Sequence, residues 1–217
     1  MPLEDYKDIV ATSASVTTIL QFFSGAFICK DIIKQGSTKD VSVMPFLGGT
    51  AVGVLMLKYS LILDDPAMTR VNLFGLFLNA LYLVCYYIYT HEKGAVLTQL
   101  MYSTAFVGVL LGYTAWESPD LIEFRFGMII TILLMLLIAS PLFSLGEVIR
   151  TKSTATLPFP LILSGTLVTF QWLLYGIIIK NEFIQFQNVV GLVLSVIQLS
   201  LFAIYPSKPA QDTKKKN

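Results

Sequence analysis

VNLFGLFLNALYLVCYYIY (71–89) and QNVVGLVLSVIQLSLFAIY (187–205) align without a gap at an offset of 116. The matches include Asn72/Asn188, Gly75/Gly191, Leu76/Leu192, Leu78/Leu194, Leu83/Leu199, Ile88/Ile204 and Tyr89/Tyr205. Both runs are mostly apolar, yet each carries an asparagine near its start. An uncompensated amide in hydrocarbon costs several kcal/mol, so each asparagine needs a partner or a task. The same offset joins Tyr59 to Tyr175, Ile33 to Ile149, Lys34 to Arg150, Ser37 to Ser153 and Thr38 to Thr154. Between these blocks it slips to 113, where MPF (44–46) matches LPF (157–159) and pairs Pro45 with Pro158. The chain is an internal repeat.

Outside these two runs the composition is equally apolar. Of 217 residues 55% are hydrophobic and 13% charged, with a mean hydropathy of +0.71. Seven apolar stretches recur, at 8–29, 43–63, 71–90, 97–115, 124–146, 158–179 and 184–205. Each is about the ~20 residues a helix needs to cross ~30 Å of hydrocarbon. They are continuous rather than alternating, which excludes a barrel. The pattern predicts an all-α membrane protein of seven transmembrane helices. They form two three-helix repeats, with helix 97–115 between them (3+1+3). Three crossings reverse direction and the added helix restores it, so the repeats run parallel and imply a pathway at their interface. The expected organisation is 1–94 for the first repeat, 95–119 for the linker helix, 120–206 for the second repeat and 207–217 for a basic tail.

Basic residues set the expected orientation. With the amino terminus extracellular or lumenal, ten of the fifteen Lys and Arg fall on the cytosolic side. That asymmetry predicts N-out and C-in. The acidic start MPLEDYKD lacks the basic region of a cleaved signal peptide, so the first helix is expected to stay as an anchor. Cys29 and Cys85 fall near cytosolic helix ends, where thiols remain reduced, and no structural disulfide is expected. The net charge of +1 gives no basic face for nucleic acid.

The remaining polar residues each have a plain and a functional reading. Asn72 and Asn188 either bond a neighbouring helix, for ~0.6–2 kcal/mol, or offer donors and acceptors to a neutral hydroxylated ligand. Trp172 lies too deep for an interfacial tryptophan, and is either packing bulk or an aromatic face for a pyranose. Pro45, Pro141 and Pro158 are expected to interrupt the second, fifth and sixth helices, as static kinks or as hinges. Lys58 is expected to snorkel outward or to pair with Asp64 or Asp65. No carboxylate lies near the centre of an apolar run, no phosphate-binding loop is present, and the single histidine, His91, has no metal-ligand partners. No enzyme activity, cofactor or metal is expected. What remains is reversible hydrogen bonding and stacking on a neutral solute.

SPLFSLGEVIRTKSTATLPFP (140–160), QWLLYG (171–176) and FQNVVG (186–191) resemble the second repeat of the SWEET (saliva/MtN3) sugar transporters. QFFSGAFICKDIIKQGSTKDVSVMPF (21–46) resembles their first repeat, in the form found in insect members. The resemblance implies bidirectional, uncoupled sugar transport by alternating access. By it Asn72, Asn188 and Trp172 hold the sugar, with Met56 opposite Trp172, and Tyr59 and Tyr175 lie at the outer gate. Pro45, Pro141 and Pro158 match three of four hinge prolines, and the fourth falls on Gly25. Met56 stands where animal relatives carry tryptophan, and Ser60 where they carry glycine. A bulky Trp172 facing Met56 favours a hexose such as glucose.

The expected partners are thus a small neutral sugar and the bilayer, with homo-oligomerisation left open, in the plasma membrane or the Golgi/ER membrane. A proton-coupled transporter of the PQ-loop kind is the alternative, but the Pro-Gln dipeptides and intramembrane carboxylates expected of it are missing. A membrane scaffold without transport is a further one. The ending KKKN resembles a dilysine retrieval signal. Replacing Lys214 and Lys215 with serine is expected to shift the protein outward from the ER on imaging, and an unchanged distribution would remove that reading.

Overall fold

The protein is described by a computed structural model that covers residues 3–39, 41–137 and 139–206. After a 3-10 turn at Leu3–Tyr6 come α1 (Lys7–Phe22), α2 (Ser24–Gln35), α3 (Met44–Ile62), α4 (Pro66–Tyr89) and α5 (Lys93–Trp116). They are followed by α6 (Pro119–Leu137), α7 (Ala139–Thr151), α8 (Phe159–Ile178) and α9 (Glu182–Ile204). Among the described residues six helical stretches are long and apolar enough to cross a bilayer: Leu3–Gln35 and α3, α4, α5, α8 and α9. The remaining run is carried by α6 and α7 on either side of Ile138. The element order is that of two three-helix repeats joined by α5. Leu73, Phe77, Leu81, Val84 and Ile88 make one exposed apolar stripe along α4, the face a helix turns to lipid.

The chain divides into two compact units. One is Ser15–Thr131; the other comprises the described residues of 1–14 and 132–217. In the first, α3 packs mainly on α4, α5 packs on α3 and α2 on α4; in the second, α8 packs on α9. The cores correspond at the offset read from the sequence. Cys29, Ile32, Phe46 and Leu78 are buried in one cluster, and Leu145, Val148, Ile162 and Leu194 in another.

Both hairpins turn by the same device. Leu63 N–H donates to Tyr59 C=O, Asp64 takes a left-handed φ of 49°, and Asp65 N–H donates to Ser60 C=O. Asp65 then caps α4, accepting from Met68 N–H at 2.9 Å. In the second repeat Ile179 bonds Tyr175, Lys180 has φ 57°, Asn181 N–H donates to Gly176 C=O, and Asn181 caps α9 from Ile184 N–H at 3.0 Å. Each cap supplies an acceptor to a helix start whose first N–H groups have none. Asp65 is thereby the N-cap of α4.

Two expectations need correction. Pro45 and Pro158 do not interrupt helices. Pro45 stands in the first turn of α3, and Pro158 is the N-cap of α8, with Pro160 in the first turn behind it. The N–H that proline lacks is unpaired at a helix start in any case, so neither kinks a helix. The pairing of Pro45 with Pro158 fails as well. Phe46 and Leu47 N–H both donate to Val43 C=O, and Leu161 and Ile162 N–H both donate to Pro158 C=O, so Pro158 stands at the cap of its helix while Pro45 stands inside the first turn of its own. Pro141 lies in the helical backbone of α7.

The actual interruption of the first span is at Phe23, between α1 and α2. Ala26 N–H turns to Phe23 C=O, and the Phe22 carbonyl receives the Tyr82 hydroxyl at 3.0 Å. Gly25 makes this approach possible. A Cβ there would meet the Tyr82 ring, within 2.6 Å at Cδ2. Where α5 meets α6, Glu117 accepts from Tyr113 hydroxyl at 2.5 Å and pairs with Arg125 at 2.6 Å. Those bonds, from Tyr113 first and then Ser118 N–H and Arg125, hold its carboxyl down at about 2 rather than 4.5.

Gly25→Ala is expected to destabilise the protein by about 1–3 kcal/mol through overpacking. Tyr82→Phe, which loses only the bond to the carbonyl, is expected to cost about 0.5–1.5 kcal/mol. Thermal unfolding in detergent checks both. A lowered carboxyl contributes stability that is complete above its ordinary value and is lost progressively as pH falls from there through the folded value. The Glu117 junction should therefore keep its full effect from pH 7 to 4.5 and lose it progressively between 4.5 and about 2. Infrared titration of the carboxyl, with Tyr113→Phe raising its midpoint, reads this out.

Candidate functional site

The amides that opened the sequence reading sit in matching local structures. Asn72 Nδ2 donates to Met68 C=O four residues back at 2.9 Å, and Asn188 Nδ2 to Ile184 C=O at 2.8 Å. The acceptors are themselves the residues whose N–H groups are capped by Asp65 and Asn181. Both amides are half-buried. One N–H satisfied within the helix holds each side chain in place. Each keeps its carbonyl oxygen and second N–H, an acceptor and a donor, for something else.

Contacts between the paired helices set the register of each hairpin. Thr69 hydroxyl donates to Ser60 Oγ at 3.1 Å, and a Cβ on Gly53 would lie 3.8 Å from Leu76. In an antiparallel pair these contacts bring Met56 level with Asn72. In the second hairpin Gln185 Nε2 donates to Gly176 C=O at 3.1 Å, and Gly191 approaches Thr169 Cγ2 at 3.1 Å. Trp172 is thereby level with Asn188. Trp172 stands edge-to-face on Tyr175, centroids 5.5 Å apart at 87°. Each unit thus brings one amide level with the position-56 or position-172 side chain. Tyr59 and Tyr175 are 0% and 1% exposed, packed inside their units, and the Tyr59 ring lies 6.5 Å from Phe126.

The sequence assigns no structural role to Ser60, Gly176, Gln185 or Asn79. Ser60, singled out as a departure, is fully buried, donates to Leu57 C=O at 2.8 Å and accepts from Thr69. Its counterpart Gly176 leaves room for Gln185 to reach the backbone, where a Cβ would meet Ile184 Cγ2 at 2.9 Å. Thus Ser60–Thr69 and Gly176–Gln185 close the same hairpin position by different chemistry. Asn79 follows Asn72 by seven residues, two turns along one helix face, and donates to Gly75 C=O at 2.9 Å. Its oxygen lies where a Gly49 side chain would be, 2.6 Å from that Cβ position. A second amide in an apolar run was the available signal. Cys29 and Cys85 are free thiols.

Known proteins match this arrangement. A family profile described as sugar efflux transporter for intercellular exchange fits residues 8–94 and again 124–210, starting points 116 apart. The chain is 37% identical over 205 residues to the sugar transporter SWEET1 of Drosophila pseudoobscura pseudoobscura, covering 93% of this chain and 90% of that one. To the sugar transporter SWEET1 of Caenorhabditis elegans it is 34% identical, over 94% of this chain and 67% of that one. A solved eukaryotic SWEET transporter superimposes with a TM-score of 0.86 at 24% identity, over 93% of this chain and 97% of that one. The chain is a multi-pass membrane protein of the SWEET (MtN3/saliva) family, an animal member of it.

Proposed function

We propose that this protein is a bidirectional, uncoupled sugar transporter that takes a hexose such as glucose and works by alternating access. The observation that carries the reading is the pair of matched amides. Asn72 and Asn188 are each tethered by one bond to the carbonyl four residues back and each keep a donor and an acceptor. A sugar hydroxyl both donates and accepts, so it satisfies such an amide where a simple ion of either sign leaves half of it unused. Trp172 adds an aromatic face at the level of Asn188, and Met56 a flexible apolar wall at the level of Asn72.

Uncoupled transport follows from what these groups are. Amides, a thioether and an indole do not change charge between pH 5 and 8, so binding at them releases and takes up no proton. Tyr59 and Tyr175, buried beside the hairpin turns, belong to the outer gate of this mechanism. The hinge positions are Gly25 at the break in the first span and Pro141 in α7, with Pro45 and Pro158 as rigid helix starts. The basic asymmetry supports an amino terminus outside and a carboxyl terminus in the cytosol.

Initial uptake of labelled glucose into liposomes holding the purified protein tests the site. Asn72→Ala and Asn188→Ala are each expected to cost about 1–3 kcal/mol of sugar recognition, about a 5- to 150-fold loss. Uptake unchanged in both variants would remove the amides from the site. Uptake absent in the wild type and restored by another solute would remove the hexose.

A further inference from the structure

A cavity of about 580 Å³ lies at the far end of the first repeat, between the α2–α3 loop and the start of α5. It is distinct from the amide site. Tyr86, on its wall, is fourteen residues beyond Asn72 along α4, roughly 21 Å at 1.5 Å per residue.

Its polar lining has an unusual balance. Ser37, Ser42 and Thr90 hydroxyls each accept a backbone N–H, from Lys39, Met44 and Glu92 respectively, at 3.2 Å. Each hydroxyl therefore turns a lone pair to the backbone and keeps its proton to donate. Lys39 adds a cationic donor, and Glu92 an acceptor. Deepest in chemical need is Gln99, whose side-chain oxygen is buried and accepts no hydrogen bond among the described residues. A buried acceptor without a donor has lost its water and gained nothing in return, a penalty that a ligand donating to it removes.

These groups discriminate between ligand classes. An anion would use Lys39 and the hydroxyls but face Glu92 and leave Gln99 unsatisfied. A cation would use Glu92 and Gln99 but face Lys39 and three donors. A neutral ligand whose hydroxyls both donate and accept meets every group, and the volume lies within the range of small-molecule sites. Tyr86 donates its hydroxyl to Val41 C=O at 2.9 Å, which holds its ring in the wall.

We propose that this cavity is a second, peripheral binding site for a neutral sugar, separate from the amide site on the transport path. The identity of the ligand rests on the sugar reading above; the existence of the site does not.

His91, the only histidine in the chain, is exposed at the cavity wall and serves as its reporter. Its carbethoxylation by diethyl pyrocarbonate, followed by absorbance on the full-length protein in detergent, needs no transport. Saturating glucose is expected to slow the reaction several-fold in the wild type and equally in Asn72→Ala/Asn188→Ala, and to have no effect in Gln99→Leu. Gln99→Met, closer in shape, replaces Gln99→Leu if the latter is not monodisperse. No protection in the wild type, or the same protection without Gln99, overturns the proposal. Protection lost in the double asparagine variant also overturns it, since His91 would then be reporting a conformational change at the amide site. Protection by inorganic phosphate but not by glucose overturns it in favour of an anion site. Protection without any glucose uptake would sustain this site while the transport reading fails.

Discussion

In hydrocarbon no water completes a broken hydrogen bond, so every departure from a continuous helix must be answered by another group of the protein. This constraint accounts for most of the polar chemistry in the chain. The break at Phe23 survives because Tyr82 donates to the carbonyl it frees, and Tyr82 reaches that carbonyl because residue 25 has no side chain. Both hairpin turns end in a left-handed residue followed by a cap, Asp65 in one and Asn181 in the other. Hydroxyls deep in the helices donate back to carbonyls three or four residues earlier, as Thr50 does to Phe46 and Thr166 to Ile162. Against that background a group with unused bonding capacity stands out. Asn72 and Asn188 are such groups by duplication, and Gln99 is one alone.

The repeat is preserved in geometry where it has faded in sequence. The turn residues Asp64/Lys180 and Asp65/Asn181 differ in charge yet occupy the same backbone states. Ser60–Thr69 and Gly176–Gln185 share no chemistry yet join the same two places. Stability asks only that the bond be made, so the two halves have been free to change its members. The amides themselves have not changed, and each keeps the same tether to the carbonyl four residues back.

Much of the fold was legible. Seven apolar runs, the offset of 116 and the added helix 97–115 gave the architecture directly, because hydropathy and repetition are one-dimensional signals. The asparagines were legible because a polar residue in such a run needs a reason. The break at Phe23 was not, because its cause is a tyrosine hydroxyl almost 60 residues away. Pro45 and Pro158 misled because a proline at the edge of an apolar run reads as an interruption, and only the backbone bonds to Val43 and Pro158 show that the helices begin there. Ser60 looked like a defect in the pattern until Thr69 was found against it. The cavity at Gln99 was invisible for the same reason, since its walls come from two loops and two helices.

The central claim is that a neutral amide site moves sugar without coupling it to an ion. The most direct measurement is the final ratio of internal to external glucose in proteoliposomes, taken with and without an imposed proton gradient. The account predicts a ratio of one in both cases, reached at the same rate. Glucose accumulating above the external concentration in step with the proton gradient would contradict it.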